Sequence, residues 1–540
     1  MSIHQVTLGA TALALWAGTA LAAPAISLHP NKAHPGGTVV VDGSGFAASE
    51  PVDIYLDTTD LQLTASNASG SFKQKITVPT TLQPGKHNVT AVGQVSNTAA
   101  TAVLLNLWDW GMAGFNGQET YNNPNETAIT DATVPQLAQL WHVDIPLNPY
   151  EKEADWGSPV VSRGKLYIPL NNGSAQGTSG GGEIVALDAL TGAQRWQATL
   201  SGLIYTSLAA AKGIVYAASS NMLTALSGRD GKILWQQPVA TPTTAPGYGA
   251  ACGITLDSGT LYFPGIDGTL SAFSADTGSL LWSATADSAL CAPPSVANGQ
   301  VYVASATGTI DQFNATTGVL VNSVAGPGNG DQFSTAIANN ELIDFEYSFA
   351  SNSYLSTYGL GTLVPILLLS SNNTAGAVFP IQGTSGVSVN YNVTQMFDLT
   401  TGAITNSGKC ANATGATGGL ISDSAISGTI AWARYESGNT DPFSVVLTAC
   451  DANTGNQLWQ GMEWTANDPN LTGQGDYSRG PVIANGIVYD IVASDSTAAP
   501  TAYAHVSAFS VNGIAPYSMA TPPAPNLADL HPDPHLRMTN

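Results

Sequence analysis

Residues able to perform acid–base, thiol or anion-binding chemistry stand just before particular predicted strands of this chain. The candidates for catalysis are Asp331, Cys291, Cys252 and Asp155, and the candidates for binding a substrate are Arg479, Tyr205, Trp156 and Tyr477. A carboxylate can act as a general base, a guanidinium binds oxyanions with its planar fork, and a thiolate can bond to sulfur. Together these side chains indicate a polar site for a small anionic molecule.

Repeated elements must position these residues. One short phrase, which reads ALDALTGAQRW at its first appearance, recurs at intervals of about 40 to 60 residues. Its copies begin at Ala186, Ala225, Ala272, Gln312, Met396 and Ala449, with a degraded copy at Ala508. Repetition at such a period is typical of stacked supersecondary units, none of which can bury its apolar face alone.

Each repeat predicts a four-stranded antiparallel sheet. An apolar run, a Gly-centred turn and a β-branched run come first, as in LAAAKGIVYAAS, and the phrase then adds two strands joined by a Thr-Gly or Asp-Gly turn. The recurring Trp, such as Trp196 and Trp235, is expected to pack between neighbouring sheets. Radial repetition of such sheets makes a β-propeller.

The number of blades depends on one long interval. Gln312 and Met396 are 84 positions apart (396 − 312), and that interval holds either one blade with a long insertion or a diverged extra blade. The sequence therefore predicts an all-β protein, a seven- or eight-bladed β-propeller with a further β-domain before it. The insertion, expected at 351–383, contains the apolar run VPILLLSS, which packs on its own propeller or forms a homodimer contact.

The phrase A-x-D-x-x-T-G-x-x-x-W resembles the tryptophan-docking repeat of the pyrroloquinoline-quinone (PQQ)-type propellers, over roughly Trp141 to Tyr517. That family includes quinoprotein dehydrogenases, non-catalytic scaffolds of outer-membrane assembly, and the tetrathionate hydrolases of acid-living sulfur oxidisers. The resemblance implies the fold more strongly than the chemistry, because one fold hosts many functions.

Five segments are predicted along the chain. Residues 1–22 read as a secretory signal peptide ending in Ala-Leu-Ala, although their n-region has no Lys or Arg. Residues 23–106 read as an Ig-like β-sandwich, 107–145 as a connector with a ring-closing strand, 146–522 as the propeller and 523–540 as a tail. We therefore expect an exported protein, in the periplasm, on the outer cell surface or outside the cell, without a transmembrane span.

Charge is scarce. Charged residues make up 10% of the chain, against about 25% in ordinary proteins, and 15 Lys and Arg face 37 Asp and Glu. A chain with few bases stays close to neutral at pH 2–4, and it has few salt bridges for acid to break. This composition favours a protein of an acidic environment over an ordinary acidic secreted protein, and it argues against nucleic acid as a partner.

Aligning the repeats on their turns brings the candidate residues to one mouth of the central channel. Asp155-Trp156, Tyr205, Cys252, Cys291 and Asp331 precede the innermost strands of successive blades, and Tyr477 and Arg479 precede the last. Four cysteines, Cys252, Cys291, Cys410 and Cys450, allow three complete pairings. Cys291 and Cys252 either join neighbouring blades, pack in the core, or hold sulfur as a mixed disulfide.

Three functions remain open. The first is an acid hydrolase of polythionates without a cofactor or metal, in which Asp331, or Asp155 after it, activates water and Arg479 binds a terminal sulfonate. The second is a scaffold that only binds. The third is a dehydrogenase with PQQ and calcium, but the chain lacks the adjacent cysteine pair of many such enzymes and has no C-x-x-C-H haem motif.

Overall fold

The computed structural model describes most of the chain from residue 23 onwards. The described residues are 23–147, 157–172, 181–204, 206–219, 221–239, 253–290, 292–327, 332–347, 353–371, 381–382, 385–390, 393–398, 401, 404–408, 425–436, 443–466, 481–494, 502–516 and 523–530. The predicted signal peptide, 1–22, lies outside these ranges. Within them, no helix is long and apolar enough to cross a membrane.

The chain divides into two compact units. The first comprises Met1–Thr80, Lys86–Leu105 and Thr521–Asn540, and the second comprises Thr81–Gly85 and Asn106–Ala520. The described part of the predicted tail belongs to the first unit, where Asn88 Nδ2 donates a hydrogen bond to the carbonyl oxygen of Pro523 at 2.8 Å.

The N-terminal unit consists of two antiparallel sheets, in agreement with the predicted sandwich. Their strands are β1 (Ala25–His29), β2 (Lys32–Ala33), β3 (Thr38–Ser44), β4 (Pro51–Leu56), β5 (Thr59–Ala65), β6 (Phe72–Thr77), β7 (Gly85–Gly93) and β8 (Ala99–Asn106). One sheet has the order β1-β3-β6 and the other β2-β8-β7-β4-β5. Strand β3 shows why they form: Val39 and Val41 are buried while their neighbours are not, which is the period-two pattern of a strand with one face on a core.

The second unit contains the remaining strands and begins with a connector. Its first strands are β9 (Asn122–Asn123) and β10 (Leu137–Leu147), which follows a single 3-10 turn at Val134–Gln136. The first half of the repeats forms β11 (Val160–Ser162), β12 (Lys165–Asn172), β13 (Gly181–Asp188), β14 (Gln194–Leu200), β15 (Ala209–Ala211), β16 (Ile214–Ser219), β17 (Met222–Ser227), β18 (Ile233–Pro238), β19 (Thr255–Asp257), β20 (Thr260–Pro264), β21 (Thr269–Ser274), β22 (Leu280–Thr285), β23 (Ser295–Ala297), β24 (Gln300–Ala304), β25 (Thr309–Asn314) and β26 (Leu320–Ala325).

The second half of the repeats continues the same pattern. It forms β27 (Gln332–Ala338), β28 (Glu341–Tyr347), β29 (Ser353–Gly359), β30 (Pro365–Ser371), β31 (Ile381–Gln382), β32 (Ser385–Asn390), β33 (Val393–Asp398), β34 (Ile404–Gly408), β35 (Ala425–Ser427), β36 (Ile430–Glu436), β37 (Phe443–Asp451), β38 (Gln457–Ala466), β39 (Val482–Ala484), β40 (Ile487–Ser494) and β41 (Ala502–Val511). A second 3-10 turn, at Leu527–Asp529, lies beyond them in the first unit.

Consecutive strands form four-stranded antiparallel sheets, as the repeats predict. The orders are β11-β12-β13-β14, β15-β16-β17-β18, β19-β20-β21-β22, β23-β24-β25-β26, β27-β28-β29-β30 and β31-β32-β33-β34. The next sheet, β38-β37-β36-β35-β9, gains the connector strand β9 as a fifth strand parallel to β35, and the last has the order β10-β41-β40-β39. The short first strand of a sheet contacts that of the next, β11 with β15 and β15 with β19, and β39 contacts β11 in turn. These first strands therefore line the centre of the unit.

The outer strand of the last sheet is β10, which comes from the beginning of the second unit and so closes the ring of sheets. Strand β10 pairs antiparallel with β41, with Val143 opposite Val506 and Ile145 opposite Ala504. These apolar residues join one core cluster with residues of the first sheet such as Val185. Residues from the two ends of the unit are thereby packed into one core.

The recurring Trp packs between neighbouring sheets, as predicted. The indole Nε1 of Trp196 donates to the carbonyl oxygen of Gly228 at 3.1 Å, and that of Trp235 donates to Ala275 at 3.1 Å. A Cβ added to Gly231, which has φ +72°, would lie 2.7 Å from the Trp196 ring. The phrase glycine is needed there for two reasons, its left-handed backbone and the close approach of the indole.

The long interval between Gln312 and Met396 holds a sheet of its own, so the predicted insertion at 351–383 is wrong. Strands β29 and β30 lie in the first part of 351–383, and they are the third and fourth strands of the sheet β27-β28-β29-β30. The sheet carries a diverged phrase: Leu363, with φ +50°, takes the position of the glycine, and a register shift between Thr357 and Tyr358 matches the shift of the other repeats. The diverged side chains hid the repeat.

Candidate functional site

The eight predicted site residues all lie outside the described part of the structure. They are Asp331, Cys291, Cys252 and Asp155 among the catalytic candidates, and Arg479, Tyr205, Trp156 and Tyr477 among the binding candidates. The residues directly after Trp156, Tyr205, Cys252, Cys291 and Asp331 are described, and the chain is described again from residue 481, two positions after Arg479.

Polar contacts join the starts of neighbouring central strands. The Ser158 amide donates to Ser207 Oγ at 3.2 Å, and Ser295 Oγ donates to the Thr335 carbonyl at 2.7 Å. All four residues are buried. Ser158 lies two positions after Trp156 and Ser207 two after Tyr205, so the described neighbours of these candidates meet between adjacent sheets.

Two glycines bring the strand starts into close contact. A Cβ on Gly157 would lie 2.1 Å from the carbonyl oxygen of Thr206, and one on Gly253 would lie 2.1 Å from the ring of Pro293. Both distances are far below van der Waals contact, so a larger residue cannot occupy these positions without movement of the backbone or ring. Gly157 directly follows Trp156, and Gly253 directly follows Cys252.

The connector runs along the central strands and pairs with them sheet after sheet. Its backbone hydrogen bonds join Trp110 with Val161, Gly111 with Ala210, Gly117 with Val296, Gln118 with Ile337 and Tyr121 with Ile426, and the Asn123 side chain donates to Ile483. These partners belong to β11, β15, β23, β27, β35 and β39. The connector therefore satisfies backbone groups on central strand edges that have no further strand beside them.

Glu119 fixes the connector to the third sheet. Its side chain is buried, and Oε1 lies 3.1 Å from Thr255 Oγ, whose hydroxyl also lies 2.6 Å from the carbonyl oxygen of Pro294. The Thr255 hydroxyl donates toward both the Pro294 carbonyl and Glu119 Oε1, and it thereby ties Glu119 to the third sheet. Burial raises the pKa of Glu119 to about 8, although the hydrogen bonds from Thr255 and Gly114 lower it, so the side chain is protonated at neutral pH.

Glu126 anchors the end of the connector to the last sheet. Its Oε2 accepts from the amide of Gly486 at 2.8 Å, and its Oε1 accepts from the amides of Ala128 and Ile129 at 2.8 and 3.2 Å. Burial raises the pKa of this carboxyl despite these donors. The sequence shows both glutamates but not their burial, which depends on strands far away in the chain.

The described residues at the starts of four central strands, in ranges 157–159, 206–208, 253–254 and 292–294, carry Ser, Thr, Gly, Pro and aliphatic side chains. These short ranges contain no carboxylate that could bind calcium. Cys450, the one cysteine in the described ranges, is disulfide-bonded.

The repeated four-stranded sheets, their docked tryptophans and the closing strand define a β-propeller with PQQ-type repeats. The chain belongs to the family described as PQQ_2, Outer membrane protein assembly factor BamB, which matches residues 129–251 and 223–442 and so more than half of the 540 residues. A second family, Macroglobulin-like domain, matches residues 22–104.

Comparison with solved structures gives matches at low sequence identity. BamB from Moraxella catarrhalis is 13% identical, with 69% of this chain and 97% of that chain covered and a TM-score of 0.46. Quinohemoprotein alcohol dehydrogenase ADHIIG from Pseudomonas putida HK5 is 13% identical over 77% and 82%, with a TM-score of 0.49. A europium-containing methanol dehydrogenase is 12% identical over 74% and 98%, also at 0.49. No curated protein matches the sequence.

Proposed function

We propose that this protein is an exported, acid-stable hydrolase that cleaves tetrathionate and related polythionates at the mouth of an eight-bladed propeller. The observation that carries the proposal is the scarcity of charge: 10% of residues are charged, and the 15 Lys and Arg give little positive charge in acid. Such a chain avoids the self-repulsion that unfolds ordinary proteins at low pH.

The ion pairs of the described residues support acid tolerance. Pairs with Lys or Arg include Lys73–Asp42, Arg195–Asp188 and Lys232–Asp230, and each of these three cations is at least half exposed. Exposed pairs contribute little to stability, so their loss on protonation of the carboxylates costs little. The buried Glu119 keeps its proton up to about pH 8, so acid leaves its charge state unchanged.

The chemistry assigned to the mouth suits acid. Histidine is protonated near pH 3, whereas an Asp with a pKa near its ordinary value of about 4 can still accept a proton. Asp331, with Asp155 as second choice, would take a proton from water as the water attacks a sulfur, while Arg479 holds a terminal sulfonate. Tetrathionate and one water then give thiosulfate, sulfate, one sulfur atom and two protons, with no oxidant or reductant required.

The test is a tetrathionate assay of the mature protein between pH 2 and pH 5 without added cofactor. We expect thiosulfate and sulfate in equal amounts, with sulfur as the third product. A folded, acid-stable protein that releases neither product would contradict the proposal.

A scaffold of the cell envelope is the second candidate, and the family match favours it. The matching family is described as an outer-membrane assembly factor. A scaffold needs no reactive residues at the mouth, so substitution of Asp331 would not alter its binding. Capture of an envelope partner together with inactivity toward tetrathionate would favour this candidate, whereas dye reduction with PQQ and calcium would favour a dehydrogenase.

Self-association through the fifth sheet remains a proposal as well. Val364 and Ile366 are 59% and 47% exposed, and Ile366 lies on β30, the outermost strand of its sheet. Sedimentation of the purified protein tests it: Val364→Asp should convert a dimer to a monomer, and a monomeric wild type would contradict the contact.

A further inference from the structure

Three metal-ligating side chains meet where the last propeller sheet closes. His142 and Asp144 alternate on β10, and in the pairing with β41 Asp144 is opposite His505 and His142 is opposite Ser507. His142 Nε2 and His505 Nδ1 lie 2.8 and 2.6 Å from Asp144 Oδ1. The three atoms all lie within 4.8 Å of one another. Residues far apart in the chain thus present two imidazole nitrogens and one carboxylate oxygen to one point.

The surroundings orient the ring of His142, and the two imidazoles lie against each other. His142 Nδ1 lies 3.0 Å from Ser507 Oγ, a buried hydroxyl, which holds the ring with Nε2 toward Asp144. The two imidazoles are stacked, with centroids 6.0 Å apart and planes 17° from parallel. A hydrogen bond from the second ring nitrogen is what fixes metal-ligating histidines in other proteins.

The cluster is also open to an incoming ion. The His505 side chain is 10% exposed, but those of His142 and Asp144 are 30% and 48% exposed. Water can therefore reach the ligand atoms, and a solvent molecule can complete a four-coordinate site. The buried histidine supplies a fixed ligand, and the two exposed residues can adjust by rotation about their side-chain bonds.

We propose that His142, Asp144 and His505 form a binding site for a divalent transition-metal ion of the copper and zinc class. Two imidazoles and a carboxylate suit these ions, whereas calcium and magnesium prefer sites made of oxygen alone. The ion takes the place of the protons that the imidazoles share with Asp144. The site lies on β10 and β41, the two outer strands of their sheet, and so away from the central strands and from the proposed hydrolytic mouth.

Metal binding here would strengthen ring closure. Strand β10 precedes the first propeller sheet and β41 ends the last, so one ion would link the two ends of the ring by coordinate bonds. A ligand that binds only the folded state raises the unfolding temperature, and the stabilisation grows with the logarithm of the ligand concentration relative to its Kd.

The test uses the full mature chain, stripped with chelator and titrated with Cu²⁺ at pH 7 under calorimetry and electron paramagnetic resonance. We expect one tight site per chain, nitrogen hyperfine structure from two imidazoles, displacement by Zn²⁺ and a higher unfolding temperature. His142→Ala and Asp144→Asn should each weaken binding at least about tenfold, and Ser507→Ala should weaken it by about tenfold through the lost ring contact.

His87→Ala is the matched control. His87 also contacts one carboxylate, Asp57, at 2.7 Å, but no second histidine joins that pair among the described residues. This variant should keep the copper site. Absence of a stoichiometric site in the wild type, or equal binding in wild type, His142→Ala and Asp144→Asn, would overturn the proposal. Because His142 and Asp144 are partly exposed, both variants should fold, and circular dichroism verifies that.

Discussion

The indole nitrogen of Trp196 donates its hydrogen to the carbonyl oxygen of Gly228 in the next sheet, 3.1 Å away. Tyr167 Oη donates to the same oxygen at 3.2 Å. Tyr216 and Trp235 make the same double contact with Ala275 in the following sheet. In each of these two sheets a Trp and a Tyr therefore join the neighbouring sheet by directed hydrogen bonds as well as by packing, and the repeated Trp is a structural element of the ring.

We predict that Trp196→Ala destabilises the propeller by about 3 to 5 kcal/mol, the usual cost of removing a buried indole. The variant loses apolar contact and leaves the Gly228 carbonyl with one donor fewer. Arg195→Ala is the control, because its half-exposed guanidinium makes a surface pair with Asp188 that contributes less than about 1 kcal/mol. Denaturant unfolding measures both, and equal stability of the two variants would contradict this role.

Two requirements for glycine at the docking position, the left-handed backbone and the space for the indole, can be measured separately. Gly231 and Gly299 have φ of +72° and +73°, but only Gly231 faces an indole, whereas a Cβ on Gly299 would meet nothing within 4 Å. Gly299→Ala should cost about 1 to 2 kcal/mol from the left-handed backbone. Gly231→Ala should cost about 1 to 3 kcal/mol more, because the methyl group displaces Trp196. Unfolding free energies that differ by less than experimental error would exclude the indole contact.

Glu119 predicts how stability depends on pH. Its folded pKa of about 8 lies above the ordinary value of 4.5, so between these values the folded state holds a proton that the unfolded state has released. Stability from this group is complete below about pH 4.5 and falls toward pH 8, by up to about 1.4 kcal/mol per unit. Glu119→Gln, which keeps the shape without the titration, should flatten that decline.

Glu50 is the control for the pH dependence of stability, because its pKa is shifted in the opposite direction to that of Glu119. Burial raises the pKa of Glu50, but the hydrogen bonds from Ser96, Ala47 and Val95 together lower it by more than burial raises it. The pKa of Glu50 is therefore below its ordinary value. Its stabilising contribution is present above pH 4.5 and is lost as the pH falls. Glu50→Gln should therefore destabilise most at neutral pH. If Glu119→Gln declines with pH as steeply as wild type, Glu119 is not the protonated group described above.

Much of the propeller was predictable because its rules are local. The Asp-Thr-Gly turn is set by residues within the phrase: Asp188 Oδ1 accepts from the amides of Leu190 and Thr191, and Gly192 has φ +70°. Turns of this kind can be recognised from the sequence alone. The same locality predicts the antiparallel sheets and the packing of the tryptophans.

The fifth sheet and the buried glutamates could not be predicted, because they depend on residues that break the repeat pattern or on contacts between residues far apart in the sequence. In the diverged fifth sheet Leu363 adopts the left-handed conformation without being glycine. In the sheet before it Asn322 stands at the position of the Trp and donates to the Thr362 carbonyl of the fifth sheet. The loss of the glycine in the fifth sheet hid that copy of the repeat. The burial of Glu119 against Thr255, 136 positions away, follows only from the path of the connector.

Arg479 offers a test of substrate binding separate from chemistry. The planar guanidinium matches a sulfonate in a way that a lysine ammonium does not. Arg479→Lys should raise the KM for tetrathionate about tenfold or more while kcat changes less, because the charge remains and the paired hydrogen bonds are lost. Initial rates at pH 3 over a range of substrate concentrations measure this split, and an unchanged KM would remove Arg479 from the site.

Acid hydrolysis of polythionate at the propeller mouth is tested most directly by comparing wild type with Asp331→Asn at about pH 3. Thiosulfate and sulfate release are followed without cofactor, and unfolding curves establish that both proteins are folded. We expect turnover by the wild type and a loss of at least about 100-fold in kcat for the variant, since general-base catalysis contributes that much or more. No turnover by the wild type, or equal turnover by the two proteins, would contradict the account.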